Sequence, residues 1–131
     1  MSTSPQELFA FAKSQENLHG FEAARRAVIS RAYYAAFHFC RSYHSNLRQP
    51  GSVGMANGTH EQLISQLSNP YPKLDTEIKL ESIAIGKLLR LLCNQRVDSD
   101  YKLYLDISHH MVADAICIAE TLFEKGATPS A

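Results

Sequence analysis

Apolar positions along this chain recur at three- and four-residue intervals, and no stretch sustains the two-residue alternation of a half-buried strand. The first apolar stripe is Leu8, Phe11, Ala12 and Leu18. It opens behind Ser4-Pro5-Gln6-Glu7, where the serine caps, the proline fits the first helical position and the glutamate completes a capping box. The pattern predicts a helix that ends at Gly20. A longer second helix is expected over 21–47, with neither Gly nor Pro inside it. Phe21, Ala24, Val28, Ala32, Ala35 and Phe39 mark its buried face, and the small alanines would let a neighbouring helix approach closely.

Gln49 to Gly58 contains Pro50, Gly51 and Gly54 and reads as a loop. A short third helix is expected from Thr59, reciprocally capped by Gln62, to Leu67, before Asn69-Pro70-Tyr71-Pro72 breaks the chain again. Ile78, Ser82, Ile85, Leu89 and Leu92 give the inner stripe of a fourth helix over 75–94. Gly86 is its weak link, costing about 1 kcal/mol relative to alanine in a helix interior. A polar turn follows over 96–106. Ser108 then caps a last helix with Val112, Ala115, Ala119 and Leu122 inward, stopped by Gly126, with a frayed tail beyond it. These elements predict an all-α protein, an antiparallel four- to five-helix bundle forming one domain over 1–131 with its ordered core over 5–125.

Composition narrows the function classes. Lys plus Arg and Asp plus Glu number 13 each, giving a formal net charge of zero with six His uncounted. A dedicated duplex-DNA binder usually carries a basic excess, because phosphate neutralisation dominates its affinity. Any nucleic-acid contact here needs local clustering of positive charge. Cys40, Cys93 and Cys117 are widely spaced, with no C-x-x-C pair, and support neither a zinc site nor a disulfide framework. The start Met1-Ser-Thr-Ser-Pro lacks the basic and apolar regions of a signal peptide, and the most apolar window, Ile83 to Cys93, is too short for a bilayer. A cytoplasmic protein without membrane contact, metal or cofactor is the expectation.

Local clustering does occur on the second helix. Arg31, Tyr34, His38, Arg41, Ser45 and Arg48 are spaced three or four apart and share one face, opposite in character to the alanine-rich one. A neighbouring row carries Arg26, Ser30, Tyr33, Phe37 and His44. Such a stripe is commonly just the solvated side of an amphipathic helix. Its basic and aromatic character also suits a phosphate-bearing ligand.

The run Ser30 to His38, SRAYYAAFH, resembles the signature helix of the HEPN superfamily of small helical-bundle proteins. A second element, Arg96-Val97-Asp98-Ser99-Asp100-Tyr101, is similar to the R-x-x-A-D-Y element of one HEPN branch, with Ser99 where Ala is common. The resemblance spans about residues 5 to 125. It implies a four- or five-helix bundle, commonly a homodimer, that binds RNA or a nucleotide in prokaryotic toxin–antitoxin, defence or RNA-processing systems. A nucleotidyltransferase antitoxin is one implied partner. Many relatives of this type are metal-independent ribonucleases with an Arg, four to six residues, then a His, a count that Arg31 and His38 satisfy. In that role the imidazole would move protons at a ribose hydroxyl or leaving oxygen, and the guanidinium would stabilise phosphoryl charge. Tyr34 would orient the phosphate or stack on a base.

The resemblance places that motif late in the chain, around Arg96, where Asp100 and Tyr101 stand and no His follows at the required spacing. Such a pattern suits ligand binding or a non-catalytic interaction subunit. Arg41, Arg96, Asp100 and Tyr101 therefore join Tyr34 as candidate ligand-binding residues beside the catalytic pair Arg31 and His38. Arg96 has two readings: an inward side chain paired with Asp98 or Asp100, or a phosphate ligand in one cleft with Arg31. A further alternative makes the whole stripe a polar dimer seam.

Weaker signals fall away. His110 and Asp114 are four apart on the last helix, but two ligands do not make a metal site. Gly51, Gly54 and Gly58 lack the Gly-Lys-Ser/Thr and the preceding strand of a phosphate loop. His19, His44, His60 and His109 lie near helix ends or loops and are expected at the surface.

Overall fold

The computed structural model describes residues 3–16 and 21–127. It is an all-α bundle of five helices: α1 (Pro5–Ser14), α2 (Glu22–Ser45), α3 (Thr59–Ser68), α4 (Thr76–Tyr101) and α5 (His109–Ala127). No strand occurs among the described residues. Nor is any of their helices long and apolar enough to cross a membrane.

Two predicted caps form as the sequence indicates. The backbone N–H of Glu7 donates to Ser4 Oγ at 3.1 Å with Pro5 at the start of α1, and the N–H of Met111 donates to Ser108 Oγ at 3.2 Å. The third helix begins differently. Gly58 occupies its cap without a side-chain bond, and the Gln62 amide donates back to the Ala56 carbonyl instead of closing a reciprocal box. The first helix stops at Ser14; Leu18 and Gly20, expected to finish it, lie outside the described residues.

The fourth helix departs most from expectation. Residues 96–101, read as a polar turn, continue α4 for more than another turn. Two i,i+4 ion pairs, Arg96 with Asp100 at 2.9 Å and Lys102 with Asp98 at 2.9 Å, run along this stretch, and residues 96–102 contain no Gly or Pro. Gly86, read as a weak link, is the point where α3 comes closest. A Cβ there would lie 2.9 Å from Ser68 Oγ and 3.1 Å from Leu67 Cβ, so the hydrogen is what lets the two helices pack. Gly126 does not stop α5 either. It lies inside the helix against the Phe39 ring, where a Cβ would come within 2.4 Å.

At the centre lies α2, which touches each of the other four helices. Its alanine stripe is buried as predicted: Val28, Ala32, Ala35 and Phe39 all lie in the core. The row expected to be polar is buried too. Tyr33 and Phe37 are core residues and Arg26 is only 9% exposed, because a helix surrounded on several sides has little solvated circumference to offer. Phe21 and Phe11, expected inward, are exposed at 77% and 54%, the former as the residue capping α2 and the latter beneath Arg31. The core closes with Leu63 and Leu67 of α3, Ile85, Leu89 and Leu92 of α4, and Val112, Ala115, Ala119 and Leu122 of α5.

Candidate functional site

Two regions of α2 carry polar chemistry, and they differ in kind. Near its start, the Arg26 guanidinium is enclosed. Nε donates to Glu22 Oε1 at 2.9 Å, Nη1 reaches the carbonyls of Ser99 at 2.8 Å and of Asp98 and Lys102 at 3.3 Å, and Nη2 donates to the Leu105 carbonyl. The Ser99 carbonyl is one that the end of α4 leaves without an intrahelical partner, whereas those of Asp98 and Lys102 also accept the N–H groups of Lys102 and Leu105. Glu22 Oε2 accepts from the Ile107 N–H at 3.1 Å, while Arg25 Nε donates to the Ile107 carbonyl at 2.6 Å. Its bonds to Arg26 and then to Ile107 hold the Glu22 carboxyl below its ordinary range. The first turn of α2 thus clamps the end of α4 and the approach to α5.

Half-way along α2 the arrangement opens. A cleft of about 400 Å³ is lined by Ser30, Tyr33, Tyr34, Phe37 and His38 of α2, Thr59 and His60 at the start of α3, and Arg96 of α4. The Arg96 guanidinium lies over the Tyr33 ring at 5.8 Å and the Tyr101 ring at 5.2 Å. Asp100 Oδ2 binds Arg96 Nε at 2.9 Å and accepts from Ser30 Oγ at 3.2 Å, while Arg96 Nη2 donates to the Tyr101 hydroxyl at 3.3 Å. The Phe37 ring lies 4.4 Å from the His60 ring and 5.5 Å from that of His38, so two imidazoles flank one aromatic wall. Tyr34, 55% exposed, meets His38 edge-to-face at 4.3 Å.

Of the residues singled out from sequence, Tyr34, His38 and Arg96 line this cleft, and Asp100 and Tyr101 adjoin it by holding the Arg96 side chain. Arg31 does not line it. Its guanidinium lies on the exposed side of α2, over the Phe11 ring of α1 at 5.5 Å, while its neighbour Ser30 lines the cleft. Arg41 also lies outside the cleft wall, its guanidinium 5.9 Å from the Phe37 ring. Of the two pairings considered for Arg96, Asp100 is its partner, while Asp98 pairs with Lys102. The cleft that Arg96 lines is shared with His38, not Arg31.

His60 is the residue that the sequence reading missed. Its Nδ1 lies 2.7 Å from the Tyr33 hydroxyl oxygen, and the residue lines the cleft with Tyr34. Burial first, then the Arg96 charge, lowers its pKa below the ordinary imidazole value. Nothing in the local spacing of α3 announces this partnership, since Tyr33 stands 27 residues earlier. His44, also expected at the surface, is half-buried; its Nε2 accepts from the Gly51 N–H at 3.0 Å, and burial lowers its pKa as well.

Among the described residues no group of three or more His, Cys, Asp or Glu could hold a metal ion. Asp114 accepts a hydrogen bond from Gln95 Nε2 at 2.8 Å. A larger hollow of about 520 Å³ lies at the C-terminal end of α2, between Phe39, Tyr43, Leu74 and Ile78. Its charged lining is mixed, Asp75 and Glu81 with Arg48, and Glu81 accepts from the Tyr43 hydroxyl at 2.8 Å. Comparison with protein-family models, curated proteins and solved structures finds no match.

Proposed function

We propose that this protein is a HEPN-like module that binds a phosphate-bearing ligand, RNA or a nucleotide, in the cleft between α2, α3 and α4. The observation that supports this reading is the meeting of Arg96, His60 and His38 with the accessible Tyr34 ring in one hollow. A guanidinium and imidazole N–H groups are the donors phosphate asks for, and an exposed aromatic ring at the rim gives a base a face to stack on. The chain has zero net charge, so no general electrostatic attraction supplements the donors of the cleft itself. The same reading implies a cytoplasmic setting, a homodimer and a protein partner such as a nucleotidyltransferase antitoxin.

A second reading, metal-independent RNA cleavage, is favoured by one feature: two imidazoles flank Phe37 beside a guanidinium. In that case the guanidinium serving His38 is Arg96, not Arg31. Titrating the protein into fluorescently labelled oligoribonucleotides, with and without chelator, tests both. Saturable binding that weakens in Arg96→Ala supports the module, and chelator-resistant cleavage lost in His38→Ala supports the enzyme. Neither binding nor cleavage of RNA or of nucleotides overturns both readings.

A further inference from the structure

The buried phenol of Tyr33 determines how His60 faces the cleft. Tyr33 is 2% exposed, and burial, its largest influence, pushes its acidity far out of the physiological range, so the oxygen keeps its proton. A buried O–H needs an acceptor. The acceptor within hydrogen-bond distance is His60 Nδ1, at 2.7 Å; the neighbouring Cys93 sulfur is a weak acceptor by comparison. Tyr33 therefore donates and Nδ1 accepts. A neutral imidazole carries one N–H, so with Nδ1 accepting, the proton sits on Nε2. Burial and the Arg96 charge both favour that neutral form.

Arg96, which lines the same cleft, is similarly divided. Its Nε is held by Asp100 and its Nη2 by Tyr101. Among the described residues, neither Arg96 Nη1 nor His60 Nε2 meets a protein acceptor, although both residues line the cleft. We propose that His60 Nε2–H and Arg96 Nη1–H form a two-pronged donor for a single phosphoryl group, with Tyr33 as the positioning residue that holds the imidazole in its donating tautomer. This inference rests on the reading of the cleft as a phosphate site and adds to it the atoms that recognise the anion. One prong is charged and the other neutral, so the site donates on both sides without requiring a protonated histidine.

Long-range proton–nitrogen NMR of the full chain at neutral pH reads the tautomer directly. The expected result is His60 protonated at Nε2, shifting toward an Nδ1–H mixture in Tyr33→Phe. Binding of inorganic phosphate and of a labelled oligoribonucleotide is measured alongside. His60→Gln, whose amide N–H reaches about where Nε2 sits, keeps affinity within about threefold, whereas the shorter His60→Asn loses roughly tenfold or more. An Nδ1–H tautomer in the unaltered protein, or equal losses in the Gln and Asn variants, overturns the inference while leaving a binding cleft standing. Failure of both probes to bind, with the Nε2–H tautomer present, overturns the phosphate reading of the cleft and the two-pronged donor with it.

Discussion

Arg26 and Arg96 lie close together around the end of α4, yet their guanidinium groups are used in opposite ways. Arg26 reaches in from α2 and has all three nitrogens engaged, by four carbonyls and the Glu22 carboxylate. Arg96 belongs to α4 itself, rests on two aromatic rings, and gives one nitrogen to Asp100 and another to Tyr101 while a third has no acceptor among the described residues. Charge does not distinguish them; the engagement of their nitrogens does. A guanidinium with all three nitrogens engaged inside the chain holds the fold together, and one with a nitrogen left over beside an open cleft can hold something else.

The sharpest way to break this comparison is to remove each arginine and measure stability. Arg26→Met fills the space but strands the carbonyls of Ser99 and Leu105 and leaves the Glu22 carboxylate without its guanidinium. Leaving two enclosed acceptors unpaired costs about 1–3 kcal/mol each, read as a lower urea midpoint at unchanged slope. Arg96→Ala removes a pair whose two side chains are each about a quarter exposed, 25% and 26%, and should cost no more than about 1 kcal/mol. If the two variants lose the same stability, the distinction fails.

Ligand affinity should reverse that order. A charge-assisted hydrogen bond to phosphate is worth enough that Arg96→Ala weakens oligoribonucleotide binding roughly 10- to 100-fold. Among variants that stay folded, Asp100→Asn should have a smaller effect, about threefold, because it loosens the guanidinium without deleting it. Fluorescence anisotropy at fixed salt ranks the two. An Asp100 variant weaker than the Arg96 variant would mean that the carboxylate, not the cation, organises the cleft.

How much of this was legible depends on how far apart in the chain the partners stand. Ser4 and Ser108 cap helices three residues ahead of the N–H they accept, and the stripe Val28, Ala32, Ala35 and Phe39 lies in the core; both follow from local periodicity. The continuation of α4 was also local, since 96 with 100 and 98 with 102 are helical pairs, but dense polarity there was taken for a turn. Tyr33 and Phe37 were placed on a polar row because an amphipathic pattern presumes one buried face, whereas α2 is enclosed on several. The candidate site was legible only in part: His38, Tyr34 and Arg96 came from motif and spacing. His60 and the Arg26 clamp join residues 27 and more than 70 positions apart, which no helical period connects.

Acid separates the clamp from the cleft more gently. His60 has a lowered pKa in the folded chain, so below the ordinary imidazole pKa of about 6.5 the unfolded chain takes up a proton that the folded one refuses. Its contribution to stability is complete above that pH and is lost as pH falls through the folded value. Burial of His44 adds to the same limb. Glu22 behaves with the same sign at lower pH: its contribution is complete above the ordinary carboxylate range and lost only as pH falls through its lowered folded pKa. Urea unfolding measured from pH 7 downward should therefore show two successive declines. His60→Gln should shallow the first, leaving the His44 part, and spare the second; Glu22→Gln should abolish its share of the second and spare the first. A first limb unchanged by His60→Gln would mean that the imidazole titrates as freely in the folded chain as in the unfolded one, and that the Tyr33 contact does not hold it neutral.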